Sequence, residues 1–183
     1  MAKLSDMVTI RTAAADDAEG IARVHVASWR STYRGLLPDD VLERLSVEQR
    51  KHHWHDVLNG QSNARVVLVT SAENGQIVGF ASGGTQRDEA LDFDGELYAI
   101  YLLEEFQRQG IGRALIINFA EQLAKTGYKK MQVWVMEGNA AQDFYKSMGG
   151  EYITSKTVNI GGTDVVERAY GWQSIDDVIR HSH

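Results

Sequence analysis

Hydrophobic positions along this chain follow two rhythms, and the points where one gives way to the other mark the predicted elements. Val8 to Arg11 alternates as a short strand. From about Asp17 to Ser28 the spacing lengthens to that of a helix, with Ile21, Val24, His25 and Trp29 recurring on one face and Asp16 placed to cap it. Leu36-Leu37-Pro38-Asp39-Asp40 reads as a turn with proline at or just before a helix start; Val41 to Leu45 makes a short helix and Ser46 caps another, Val47 to Leu58. Alternation returns over Arg65 to Ser71 and Gln76 to Gly83, joined through Asn74-Gly75, a hairpin signal. A fourth strand, Glu96 to Leu103, precedes a helix, Ile111 to Ala124; Lys130 to Met136 is a fifth strand and Ala140 to Met148 a further helix. Glu151 to Ile160 and Thr163 to Trp172 form a closing hairpin about Gly161-Gly162. Charge and terminal position favour a mobile tail from Ser174 to His183, as a short helix or fraying. This order predicts an α+β fold, a mixed seven-stranded sheet with helices on both faces.

Composition narrows the chemistry. At 183 residues, with 43% hydrophobic content and a single proline, the chain suits one domain with a sizeable core. It has no cysteine, which excludes disulfides, thiolate metal sites and an acetyl-cysteine intermediate. Met1 to Ile10 lacks a long apolar core and no apolar run reaches the roughly eighteen residues of a membrane span, so the expectation is a cytoplasmic protein without a membrane partner. A formal charge of −6 disfavours a general nucleic-acid binder and mildly favours a cationic acceptor. His52, His53 and His55 have no i, i+4 pair among them, and no metal is expected. His25 reads as a satisfied packing residue.

The junction between the fourth strand and the following helix carries the chemistry. Gln107-Arg108-Gln109-Gly110-Ile111-Gly112-Arg113 places two glycines where the chain must turn and approach a ligand closely, next to the unpaired N–H groups of a helix start. Arg108 and Arg113 add positive charge. A P-loop would need Lys and then Ser or Thr where Arg113 and Ala114 stand, and a dinucleotide fingerprint needs a small residue where Leu115 stands. What remains is Q-x-x-G-x-G, a pyrophosphate cradle of main-chain amides; on its own the glycine pair is equally readable as a turn.

With its flanks, the loop resembles the signature of the GNAT superfamily of N-acetyltransferases. Gly95 to Leu103 is similar to that family's fourth strand, with acidic Glu96 eleven positions before Gln107. Asn139 to Gly150 looks like its second cofactor motif, N-x-x-A-x-x-F-Y-x-x-x-G-F, departing from it at Gln142 and Gly150. The resemblance covers roughly residues 65 to 172. It implies a V-shaped split between the fourth and fifth strands, with acetyl-coenzyme A as co-substrate held by Gln107, Arg108, Gln109, Gly110, Ile111, Gly112 and Arg113, by the main chain of Leu102 and Leu103, and by Asn139 and Tyr145.

It also implies roles. Glu96 would take the acceptor's proton, directly or through water, against the alternative of a solvated carboxylate at a strand start. The Leu102 N–H would polarise the thioester carbonyl, and Tyr145 would protonate the departing thiolate, while Phe144 beside it is core. Asn139 reads equally as a helix cap and as a pantetheine ligand. Trp29 and Tyr33 would wall the acceptor pocket or simply pack. Tyr98 and Tyr101 point to opposite faces by strand alternation, so at most one can look into a given cleft. The implied activity is direct acetyl transfer to a primary amine of a small molecule or peptide, with a non-catalytic acyl-coenzyme A sensor as the alternative. A homodimer would be compatible with this architecture.

Overall fold

A computed structural model describes residues 8–182; Met1 to Met7, which carry most of the N-terminal reading, lie outside the described residues, as does His183. The strands β1 (Val8–Thr12), β2 (Ala64–Ala72), β3 (Ile77–Thr85), β4 (Gly95–Leu102), β5 (Met131–Met136), β6 (Glu151–Ile160) and β7 (Thr163–Trp172) form one sheet in the order β1-β2-β3-β4-β5-β7-β6. Every neighbouring pair is antiparallel except β4–β5. The helices are α1 (Ala18–Thr32), α2 (Asp39–Glu43), α3 (Val47–Leu58), α4 (Ile111–Lys125), α5 (Ala141–Ser147) and α6 (Ile175–Ile179). The fold is α+β, as expected from the order of elements.

Each face of the sheet has its own core. Leu115, Ile116, Phe119 and Leu123 of α4 pack on Leu68, Ala81, Leu97 and Met131, while Ile21, Ala22 and Val24 of α1 and Trp54 of α3 pack on Val69 and Phe80 of the opposite face. A third cluster, Tyr33, Leu37, Leu42 and Met136, lies beside the second. Burying apolar side chains on both faces is the main stabilising term, at roughly 25 cal/mol per Å² removed from water.

Several local readings change. Asp16 does not cap α1: a short 3-10 turn, Ala15–Asp17, precedes the helix, and the Asp17 carboxylate accepts the Ala14 N–H (2.7 Å) and pairs with Arg11 (2.7 Å). The helix then runs to Thr32 rather than stopping at Ser28. The short helix after Pro38 begins at Asp39, because proline's fixed φ prepares the helix start two residues earlier than the apolar pattern suggests. Ser46 caps α3 as expected, accepting the Gln49 N–H (3.3 Å). The segment after Ser174 is not a free tail. Ile175 and Val178 of α6 are buried in the main core, and the Ile175 N–H donates to the Lys129 carbonyl (2.9 Å), because two apolar side chains three apart outweigh the helix's charge.

The feature that positions the site is a bulge. Ser82 faces Ala99 across the β3–β4 ladder, but Gly83 faces Leu97, so Tyr98 is an extra residue on β4. The face parity of β4 flips there: Leu97 and Ile100 belong to the α4 side, Ala99 and Tyr101 to the α1 side. Gly83 accommodates the kink, since a Cβ there would come within 2.2 Å of the Glu96 carbonyl oxygen and 2.5 Å of the Phe119 ring. Parallel pairing of β4 with β5 covers only Gly95–Met131, Glu96–Gln132 and Leu97–Val133, then stops, while β5 continues beside β7 as far as Met136. The strands split just where the bulge begins.

Candidate active site

The split opens a cleft of about 670 Å³ that reaches from Tyr33 and Tyr98 past Leu102 to the loop of Gln107, Arg108, Gly110, Gly112 and Arg113 and to Asn139 and Tyr145. The main chain of β4 supplies its floor. Leu103 donates its N–H to the Val78 carbonyl (2.9 Å), which makes that pair a hydrogen-bonded one and, by antiparallel alternation, turns the N–H and C=O of Leu102 and Ile100 away from β3 toward the gap that β5 has left. The Leu103 N–H is therefore spent on β3, and it is the Ile100 main chain that faces the gap beside Leu102. The Leu102 carbonyl is already met by the Gln107 side-chain amide (3.0 Å) and the Ser28 hydroxyl (3.4 Å), leaving its N–H as the group turned to the gap.

The loop has the geometry of an anion cradle. Gly110, at φ +82°, is in the left-handed region and directly precedes α4. Arg108, at φ 58°, is the one non-glycine residue with positive φ among the described residues, a conformation costing about 1–3 kcal/mol and found where surroundings impose it. The fold leaves room at Gly112: a Cβ there would meet its nearest neighbour, Leu102 Cδ1, at an ordinary 3.5 Å. Gln109 and Ile111 do not line the cleft with side chains. The former folds back to the Glu105 carbonyl (2.8 Å) and the latter is buried in the core. Arg113 lines the cleft's rim, with its Nε donating to the His181 carbonyl (2.8 Å).

Tyr145 is 5% exposed, and burial pushes its phenol well above the ordinary tyrosine value, so it is a protonated donor throughout the neutral range. Phe144 is not only core; it packs against the main cluster and also lines the cleft. Asn139 does cap the turn into α5, its Oδ1 accepting the Ala141 N–H (2.9 Å), and it faces the cleft as well.

A second cavity, of about 410 Å³, adjoins the first and shares Tyr33, Tyr98, Tyr101 and Trp134 with it. That Tyr98 and Tyr101 both line it overturns the alternation argument, because the bulge puts the two rings on one side. Trp29 and Tyr33 pack and line a cavity at once: their rings lie 4.8 Å apart, Tyr33 is buried, and both line this cavity. Tyr33 and Tyr101 share a hydrogen bond (3.1 Å). His25 behind them is a packing residue, accepting the Trp54 indole N–H at Nδ1 (3.1 Å) and stacking on Tyr101, with burial lowering its pKa to about 3.

Glu96 is no solvated strand-start carboxylate. It is 1% exposed and lines the second cavity, with Oε1 accepting from Arg87 Nη2 (2.8 Å) and Oε2 from the Arg87 main-chain N–H (2.8 Å) and Nε (3.3 Å). The Arg87 guanidinium also covers the Tyr98 ring at 4.1 Å. Across the cavity, Lys156 pairs with Asp88 (3.4 Å) and lies 3.9 Å over the Trp134 ring. Glu167 on β7 completes the wall; desolvation raises its pKa and Glu96 adds to the rise, against the pull of Lys156 and Arg87. Arg87, Asp88, Lys156 and Glu167 carried no motif, and only the pairing of strands brings them together.

Known proteins share this fold. A family model described as "Acetyltransferase (GNAT) family" matches residues 26–149. YuaI, an uncharacterized N-acetyltransferase of Bacillus subtilis (strain 168), is 41% identical over 92% of this chain and 95% of its own length. Among solved structures, the PaiA N-acetyltransferase of Thermoplasma acidophilum in complex with coenzyme A superposes with a TM-score of 0.62 at 20% identity, covering 88% of this chain and 97% of that one. YncA, a putative acetyltransferase of Salmonella typhimurium with its cofactor acetyl-CoA, does so at 0.63 and 21%, covering 97% of both. At those identities the structures speak for the fold, and the sequence matches speak for descent: this chain belongs to the GNAT family of acetyltransferases.

Proposed function

We propose that the protein transfers acetyl from acetyl-coenzyme A to a primary amine by direct attack in a ternary complex. The observation that carries this reading is the split after Leu97 and Val133, which turns unpaired main-chain groups of β4 into a cleft running from an anion cradle to a second, charge-lined cavity. The residues fit the coenzyme: a left-handed Gly110, space at Gly112 and the start of α4 suit a pyrophosphate, and the Ile100 and Leu102 main chain suits the amides of pantetheine.

In this reading, Leu102 N–H is a preorganised donor to the oxyanion of the tetrahedral intermediate, at little reorganisation cost. Tyr145 donates a hydrogen bond to the departing sulfur. The desolvation that holds the phenol protonated also raises the thiol's pKa, so the proton can pass as the C–S bond breaks. Arg113 and Arg108 border the phosphates, and Asn139 serves both cap and pantetheine. The bS18-alanine N-acetyltransferase of Haemophilus influenzae, 32% identical over 58% of this chain, and the spermidine N(1)-acetyltransferase of Thermoplasma acidophilum, 23% identical over 89%, are named for different amines, so relatives do not select one. Calorimetry with coenzyme A, followed by thiol release from acetyl-coenzyme A with a panel of amines, tests the reading. Heat of binding with no thiol release from any amine would leave a sensor of acyl-coenzyme A in its place, and no heat at all would end both.

A further inference from the structure

The second cavity holds an unbalanced charge, and its position is specific. Two cations, Arg87 and Lys156, face three carboxylates, Asp88, Glu96 and Glu167. Arg87 is committed to Glu96 and Lys156 to Asp88. Among the described residues Glu167 has no ion-pair partner, although Lys156 stands directly opposite it in the β6–β7 ladder. The lysine that would neutralise it is turned to Asp88 and to the Trp134 ring instead. Glu96, which lines the same cavity, has both oxygens occupied by Arg87 N–H groups. The remaining wall is aromatic apart from Met136 and Ile160.

We infer that Glu167 is the group that holds the acceptor's ammonium and removes its proton, and that the acceptor is a monocationic amine carried on a flat apolar body. This rests on the transferase reading above and names the substrate class and the base of that same site. One net negative charge matches one ammonium, and Trp29 and Tyr33 offer aromatic surface to an apolar body and to a cation. A polyamine would bring charges the cavity does not balance. The raised pKa of Glu167 supports the assignment, because partial desolvation makes this half-buried carboxylate a readier proton acceptor.

The step balances as follows. Glu167 takes one proton from the ammonium, and the freed lone pair forms the C–N bond at the thioester carbonyl carbon while the carbonyl π pair moves to oxygen. The C=O bond then re-forms as C–S breaks; Tyr145 gives its proton to the sulfur and is reprotonated by the second proton of the nitrogen. Glu167 passes its proton to solvent, so an ammonium and an acetyl thioester become an amide, a thiol and one free proton.

The test uses 2-phenylethylamine as probe, with 2-phenylethanol as its neutral counterpart. Coenzyme A binding by calorimetry is expected to be unchanged in Glu167→Gln. In the same variant, 2-phenylethylamine affinity should fall about tenfold with 2-phenylethanol affinity unmoved, and kcat/KM should fall about 100- to 10,000-fold. The wild-type pH profile should lose activity on the acid side as Glu167 is protonated, above the usual carboxylate range and with Arg87, Lys156, Asp88 and Glu96 all facing that group. Glu167→Asp should keep this acid limb at reduced rate, whereas Glu167→Gln should lack it; the aspartate variant also serves if the glutamine one does not fold. Equal turnover and an identical acid limb in Glu167→Gln, the limb vanishing instead in Glu96→Gln, or wild-type binding of the alcohol as tight as of the amine would each overturn the inference. A wild-type protein that fails to bind coenzyme A would instead defeat the transferase reading itself.

Discussion

The proposed coenzyme half and the proposed acceptor half of this site are built on different principles. The first is made of residues from two short runs, Gln107 to Arg113 and Asn139 to Met148, together with the Ile100 and Leu102 peptide groups of β4. The second is made of side chains from α1, the β3–β4 connection, β4, β5, β6 and β7, held by ion pairs such as Lys156–Asp88 that are 68 positions apart. A main-chain cradle can serve one ligand in many proteins whose side chains differ. A wall of paired charges changes its preference with one substitution, so the two halves should respond differently to mutation and to pH.

Tyr145→Phe should produce the largest effect and the cleanest separation of binding from chemistry. Removing one donor at the sulfur is expected to lower kcat by about 100- to 10,000-fold, with coenzyme affinity by calorimetry within a few-fold of wild type. Equal kcat in the variant would remove the phenol from the mechanism. Acid should act on the other half. His25 is neutral in the fold at a pKa of about 3 against an ordinary 6.5, so its contribution to stability is complete above pH 6.5 and is lost as pH falls from there toward 3. By pH 5 the loss is about 2 kcal/mol at 1.36 kcal/mol per unit. Because His25 stacks on Tyr101 and lies against Trp29, hydrogen exchange should show α1 and the acceptor wall loosening before the Gly110 loop does. A His25→Phe variant whose melting temperature declines just as steeply between pH 7 and pH 5 would show that other groups carry the acid sensitivity.

Arg87→Ala probes the paired wall. It would leave Glu96 buried without its counter-charge, at a cost of about 1–3 kcal/mol, less than for a fully buried pair because the Arg87 side chain is itself half exposed. The melting temperature should fall and amine KM should rise while coenzyme affinity holds. If Glu96→Gln added to Arg87→Ala restores the stability but not the KM, the pair is structural for Glu96 and functional for Arg87.

What could be read in the sequence follows the same division. The cradle and the α5 motif are contiguous, so residue types at fixed spacing report them, and the closing hairpin of β6 and β7 is punctuated by Gly161-Gly162, which separates the two strands. The parity of β4 could not be read, because a bulge inserts Tyr98 without any mark in the letters, and the faces of Tyr98 and Tyr101 were misjudged for that reason. That the Leu103 N–H is spent on β3 while the Ile100 main chain faces the gap could not be read either, because which peptide groups face a gap depends on hydrogen-bond register, not on side-chain type. Glu167 and Lys156 sit in strands that look like ordinary polar alternation; their meaning appears only when β7 is laid beside β5. The short helix was one of the two readings of the tail, but the burial of Ile175 and Val178 could not be read, because two apolar residues are too short a signal beside its charges.

Gly112 offers the smallest effect and the sharpest contrast between fold and ligand. Gly110 must be glycine for the chain's sake, since φ +82° strains any side chain whatever the space around it. Gly112 lies inside the first turn of α4, its φ is not positive, and a Cβ would touch Leu102 and Phe144 only at ordinary contact distances of 3.5 and 3.9 Å. Alanine there should leave the protein as stable as before or more so, by up to about 1 kcal/mol, because glycine is the costlier residue in a helix. Its methyl group would nonetheless stand where a pyrophosphate must approach the N–H groups of the helix start. Gly112→Ala is therefore expected to weaken coenzyme A binding about tenfold, or about 1.4 kcal/mol, while 2-phenylethylamine affinity stays unchanged. A variant that loses stability and coenzyme affinity together would mean the glycine serves the turn, and the claim that the cradle is shaped for its ligand rather than for the chain would fall with it.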